Sequence, residues 1–216
     1  MLIFKHLPPL NEPRLFMAAE RTYLSILKLS FQASAVGLIL NKAALLDMFF
    51  LGYINKYLLK ASVIIISLAV LTDVYAFLKF FSDIRYIEGG EVVDKKEVVD
   101  PRIYMAAERT FLAWVRTSIA LMIFGFVVDK FEIFLTELQK KLHITFSQDI
   151  TSLKFIGITI MILSLVSLSL GTLNFYKTVK DVDKGYYRTH TGLYIMVGII
   201  IFAINFMLLF DVLKLI

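Results

Sequence analysis

Residues 101–130 read PRIYMAAERTFLAWVRTSIALMIFGFVVDK, and residues 13–42 read PRLFMAAERTYLSILKLSFQASAVGLILNK. The two stretches align without a gap at an offset of 88, with 12 of 30 positions identical. Most differences are mild: Leu15 and Ile103, Phe16 and Tyr104, Tyr23 and Phe111, Lys28 and Arg116. Self-similarity of this kind marks a duplicated structural unit. Each copy opens a long apolar run, so the sequence reads as an all-α integral membrane protein built from a tandem repeat.

Working outward, the rest of the chain agrees. Hydrophobic residues make up 58% of the 216 residues and charged residues 19%, with 19 Phe, against about 45–50% and 25% in ordinary soluble domains. Mean hydropathy is +0.75. The apolar residues fall in blocks rather than at amphipathic spacing, as expected where lipid is the solvent. A helix needs about 20 mostly apolar residues to cross the hydrocarbon, which places five spans near 22–41, 60–81, 111–129, 153–176 and 191–213. The patch 43–53 is short and contains Asp47, so it reads as a helix lying at the interface. The start is interrupted by Pro8 and Pro9 and does not resemble a cleavable signal peptide.

Three regions follow: residues 1–81 as a first, diverged repeat with two spans, 82–100 as a hydrophilic linker holding Gly89, Gly90 and two EVVD tetrads, and 101–216 as a second repeat with three spans. Two spans separate the copies, so both enter the bilayer from the same side, unlike the inverted repeats of many transporters. Outside the helices, thirteen Lys and Arg lie on the side of the N-terminus, the linker and the loop after the fourth span, and eight lie on the other. The positive-inside rule then puts the N-terminus in the cytoplasm and the C-terminus outside a plasma (inner) membrane.

Charges inside the spans are the candidate functional residues. Seven positions return to nearly the same helix face, so Arg21 with Lys28, and Arg109 with Arg116, each form a basic stripe running inward by ~10 Å. Arg21 and Arg109 lie close enough to a helix end to snorkel to the headgroups. Lys28 and Arg116 lie two turns deeper, where a cation costs ~2.5–3.5 kcal/mol on insertion scales, so a polar path or partner is the better reading. Glu20 and Glu108 sit beside the outer arginines and are candidate neutralising partners. Asp73, near the middle of the second span, suits an ion pair with Lys28 or, less ordinarily, proton carriage. Asn205 reads as a helix–helix hydrogen bond. The small residues Ser30, Ala33, Ser34 and Gly37, with Ser118 and Gly125 at the matching positions, read as close-packing sites. Trp114 and the tyrosines near span ends (Tyr23, Tyr57, Tyr104, Tyr176, Tyr186, Tyr187) suit interfacial belts.

The second copy, from Met105 to Ser118, closely resembles the signature of the YidH-like family, the domain of unknown function 202, which runs roughly A-x-E-R-T-x-L-A-W-x-R-T before an apolar helix. The family's three-span layout also fits 101–216. The first copy keeps Ala18, Ala19, Glu20, Arg21 and Thr22 but has Ile26 for the tryptophan, Lys28 for the second arginine and Leu29 for the following threonine. The same domain forms the membrane part of vacuolar transporter chaperone complexes, where several copies assemble a pore and basic residues face a polyphosphate chain. By motif position, the resemblance implies such roles for Arg21, Lys28, Arg109 and Arg116, with Glu20 and Glu108 as pairing residues. This chain carries neither a soluble polymerase domain nor a phosphate-sensing domain.

The absence of cysteine excludes disulfides, iron–sulfur clusters and thiolate zinc sites. His6, His143 and His190 are scattered, so no metal and no cofactor is expected. No acid–base pair, activated nucleophile or metal cluster is visible, so the expectation is a non-enzyme. It is a homo-oligomer in the lipid bilayer whose basic stripes line an anion path, phosphate or polyphosphate being candidate species. The alternative is a non-transporting scaffold or regulatory subunit that binds anionic lipid headgroups or a partner protein. No nucleic-acid partner is expected.

Overall fold

A computed structural model describes residues 10–51, 56–92, 99–142, 150–187 and 189–213. It contains five long helices: α1 (Pro13–Leu51), α2 (Lys56–Glu88), α3 (Pro101–Leu142), α4 (Ile150–Asp183) and α5 (Thr191–Leu213). All five are long and apolar enough to cross a membrane. Leu10–Asn11 (β1) pairs in parallel with Glu91–Val92 (β2), tying the start of α1 to the end of α2. His6, His143, Arg188, Lys95, Lys96 and half of the two EVVD tetrads lie outside the described residues.

The two matched helices begin alike. Pro13 and Pro101 are the first helical residues, where a fixed φ suits the helix and the missing N–H is not needed. The preceding acid closes the first turn in each: Glu12 O accepts from Leu15 N at 3.0 Å, and Asp100 O accepts from Ile103 N at 2.9 Å. Asp100 Oδ1 also accepts from Arg102 N at 2.7 Å, the usual task of an N-cap side chain. At the other end of the bundle's chain path, α4 stops at a Schellman turn. Gly185 has φ 78°, Gly185 N donates to Val182 O at 2.8 Å and Tyr186 N to Asp181 O at 3.2 Å. Glycine occupies the left-handed position at no steric cost, and the chain reverses into α5.

Two readings from sequence need correction. Residues 43–53 do not form a separate interfacial helix: their backbone continues α1 through Leu51. No Pro or Gly intervenes before Gly52, so nothing stops the helix. The 39-residue α1 is therefore ~58 Å long and extends well beyond the ~30 Å hydrocarbon. Likewise α2 runs through Glu88 rather than ending at residue 81, because its first breaker is Gly89-Gly90.

The helices pack as two antiparallel hairpins, α1 with α2 and α3 with α4, joined side by side through α1 and α3. Matching glycines allow the close approach within each hairpin. A Cβ on Gly37 would lie 2.5 Å from Ile66 Cγ1, and one on Gly125 would lie 2.6 Å from Met161 Cγ. Helices in lipid gain little from hydrophobicity, so small residues that admit close backbones supply the contact. Helices α1 and α3 run parallel and nearly level: Arg21 meets Ala106, Met17 meets Thr110, and Phe31 meets Phe124 edge-on at 4.8 Å. The last helix, α5, lies mainly against α2 and α1. The second hairpin has no equivalent cover among the described residues. Outward faces carry apolar side chains such as Leu71, Leu78, Ile123, Leu165 and Phe206, as a lipid-facing surface requires.

Candidate functional site

All four cations singled out from the sequence line one cleft. It lies between α1 and α3, has a volume of about 610 Å³, and is open to the surface of the bundle. From α1 come Ala18, Arg21, Thr22, Ser25, Ile26 and Lys28; from α3 come Arg109, Leu112, Ala113, Arg116 and Thr117. Parallel packing at nearly equal height is what turns two stripes into one site. Arg21 and Arg109 sit at one level and feel each other's charge, and Lys28 and Arg116 sit two turns further along. No acid lines the cleft. Among the described residues none of the four makes an ion-pair contact with a carboxylate. Arg21 does not snorkel away from the protein: its Nη1 donates to Ala106 O at 3.0 Å, bracing α1 on α3.

The two glutamates part company. Glu20 is turned away from the cleft and fully buried, where Tyr187 donates to its Oε1 at 2.9 Å and the Tyr194 and Thr189 hydroxyls also face it. Burial, with the Glu20 carboxyl beside it, holds the Tyr187 phenol well above its ordinary pKa, so it stays a donor. Glu108 is exposed on α3. The symmetric pairing expected for Glu20 and Glu108 with the arginines is therefore not made. One residue is 100° of helix rotation, which points Glu20 to the α4–α5 turn while Arg21 faces the cleft. On α3 no such turn covers the matching face among the described residues.

Asp73 also takes different partners from the expected Lys28. It is fully buried; Ser30 Oγ donates to Oδ1 and Asn205 Nδ2 to Oδ2 at 2.7 Å. Lys28, two residues from Ser30, faces the cleft instead. Asn205 is thus an interhelical hydrogen-bond donor, reaching Ser30 Oγ as well at 2.8 Å.

Three of the aromatic residues assigned to interfacial belts are core residues. Trp114 is 0% exposed and Tyr23 2%, and Tyr187 is buried, whereas Tyr57 is 86% exposed. Each buried polar tip has a partner, which is why the ring tolerates the interior. Trp114 Nε1 and Asn174 Nδ2 donate to Tyr194 OH at 3.3 and 3.0 Å, and Tyr23 OH donates to Tyr194 O at 3.2 Å. Tyr194 and Asn174, which organise this cluster, were not anticipated.

These features define an all-helical protein with five helices long and apolar enough to cross a membrane and a cationic cleft between two parallel helices. Residues 102–181, which comprise most of α3 and α4, match the family described as Domain of unknown function (DUF202). Arg109 and Arg116 lie inside the match, Arg21 and Lys28 outside it. No curated protein and no solved structure matches the chain.

Proposed function

We propose that the chain is a tandem, two-copy membrane unit of this domain type whose α1–α3 cleft binds phosphate-rich anions and, in a homo-oligomer, lines a path for them. The observation that carries the reading is the cleft itself: four cations, related in pairs by the offset of 88, with no acid among the lining residues. The first copy, residues 1–81, is the diverged one, and its missing third span is substituted by α5 of the second copy. The matched proline starts and the matched glycines Gly37 and Gly125 support the repeat.

A cation at membrane depth costs ~2.5–3.5 kcal/mol on insertion scales unless water, an anion or a counter-charge meets it. Lys28 and Arg116 have no carboxylate contact among the described residues, so an anionic ligand fits their chemistry. Arginine forks grip phosphate oxygens bidentately, and lysine adds a mobile point charge. Rings of Arg and Lys select anions in pores. A single cleft open at the bundle surface is half a channel, so a path requires further copies around it. The N-terminus is cytoplasmic in this reading, which puts Arg21 and Arg109 at the cytoplasmic mouth in a plasma membrane.

A second reading rests on the same openness: an anionic lipid headgroup lies in the cleft and nothing crosses. Efflux of phosphate and short polyphosphate from liposomes holding the full chain separates the two. Flux lost in Lys28→Ala/Arg116→Ala, with folding and assembly intact, supports the path. Absence of flux from intact oligomers for every anion refutes it and favours a lipid-binding scaffold.

A further inference from the structure

The interior of the α1–α2–α5 bundle holds a second polar system that the cationic cleft does not use. Asp73 is fully buried at mid-helix in α2. Among the described residues it has no cationic partner. A buried charge in a membrane is normally neutralised by pairing, by a bound ion or by a proton. The groups facing Asp73 are Ser30 and Tyr23 from α1 and Asn205 from α5. All are neutral, and the nearby cation Lys28 faces the cleft.

The geometry of the triad accommodates both protonation states. In the carboxylate form Ser30 Oγ–H donates to Oδ1 and Asn205 Nδ2 to Oδ2. When a proton is added to Oδ1, the Ser30 hydroxyl turns and accepts from it. Asn205 keeps both of its bonds, to Oδ2 and to Ser30 Oγ. No heavy atom has to move, because a hydroxyl both donates and accepts.

A route toward the triad lies on the same face of α1. Ser34 is one turn beyond Ser30, and Asn41 is a further two turns, ~10 Å, along. Both are fully buried. Among the described residues, Ser34 Oγ and both polar atoms of Asn41 have no partner, and neither does Asn205 Oδ1 at the triad itself. Buried polar atoms without protein partners are the groups that hold internal water, and water with hydroxyls carries protons. The matching face of α3 has Met122 and Asp129 at the corresponding places. The arrangement therefore belongs to the first hairpin alone.

We propose that Asp73 is a proton-binding site inside the membrane bundle, reached from the C-terminal end of α1 along Ser34 and Asn41. The proton comes from bulk water and returns to it; no bond other than O–H forms or breaks. This reading is independent of what the cationic cleft binds.

The test is infrared spectroscopy of the full chain in lipid from about pH 5 to about pH 9, the range into which buried carboxyls are displaced. The expected result is a protonated-carboxyl band that declines with rising pH, is absent in Asp73→Asn and persists in Glu20→Gln. Ser30→Ala should shift the band, and Ser34→Ala/Asn41→Leu should slow its hydrogen–deuterium exchange at least several-fold. If Asp73→Asn does not fold, isotopic labelling of aspartate carboxyls in the unmutated chain identifies the band, with the Ser30→Ala shift as the assignment. A band unchanged by Asp73→Asn, or no aspartate-derived protonated carboxyl at the lowest pH, overturns the proposal.

Discussion

Neutralising Lys28 and Arg116 should weaken anion binding by an amount that the cleft geometry sets. These two are the right probes because neither braces the fold, whereas Arg21 holds the Ala106 carbonyl. A unit charge ~5 Å from a phosphate oxygen contributes ~3 kcal/mol at an effective dielectric of 20 and under ~1 kcal/mol in bulk water. Lys28 is partly buried and Arg116 exposed in an open cleft, so each falls between those limits, at about 1–2 kcal/mol. That is a ~5- to 30-fold loss of affinity per residue, and on the order of 100-fold for the pair. The assay is titration of the full chain in nanodiscs with a short polyphosphate at two salt concentrations. The loss should shrink as the Debye length falls from ~10 Å at 0.1 M toward ~3 Å at 1 M. Lys28→Arg/Arg116→Lys should stay within a few-fold of the parent. Arg14→Gln, an exposed residue that pairs with Glu12 outside the cleft, is the control for general surface charge. Equal losses for Arg14→Gln and Lys28→Gln, or no loss in the double variant, would refute the cleft as the binding site.

Three further outcomes follow from packing. Gly37→Ile drives a side chain into Ile66 and the Ser62 carbonyl, so the melting temperature in detergent should fall, the overpacking costing ~1–3 kcal/mol. Tyr187→Phe removes a donor to buried Glu20; a loss of ~1–3 kcal/mol is expected by denaturant titration, and Glu20→Gln should recover part of it in the double variant. Gly185→Ala forces a side chain into φ 78° and should cost ~1 kcal/mol with anion binding unchanged.

Much of this was legible in the sequence because it rested on short-range rules. Apolar blocks gave the helices, and the seven-residue spacing gave both basic stripes. Convergence of the stripes on one cleft depended on the parallel contact of α1 with α3, which the repeat made reasonable but could not specify. The misreadings share a cause. Glu20 and Glu108, identical in local sequence, differ because only α1 is covered by the α4–α5 turn and α5. Trp114 and Tyr23 looked interfacial by composition, and only the position of Tyr194, 80 and 171 residues away, supplies their interior partners. Asp73 reads from the sequence as a partner of Lys28, another charge inside the spans, yet rotation about α1 presents Ser30 to it and sends Lys28 to the other face. The continuous helix to Leu51 was missed because hydropathy, not the absence of a breaker, set the boundary.

The position of α5 has a consequence in time. Asn205 is made 132 residues after Asp73, which at ~5–20 residues per second is a delay of roughly 7–26 s. Until then the first hairpin holds an acid, a serine and a tyrosine on a face that its own sequence cannot cover. α5 is therefore the helix that seals the first hairpin, and a ribosome stalled before residue 191 would leave that hairpin with a polar flank turned to lipid. Completion of the first hairpin then depends on α5 reaching back across the chain before quality control does.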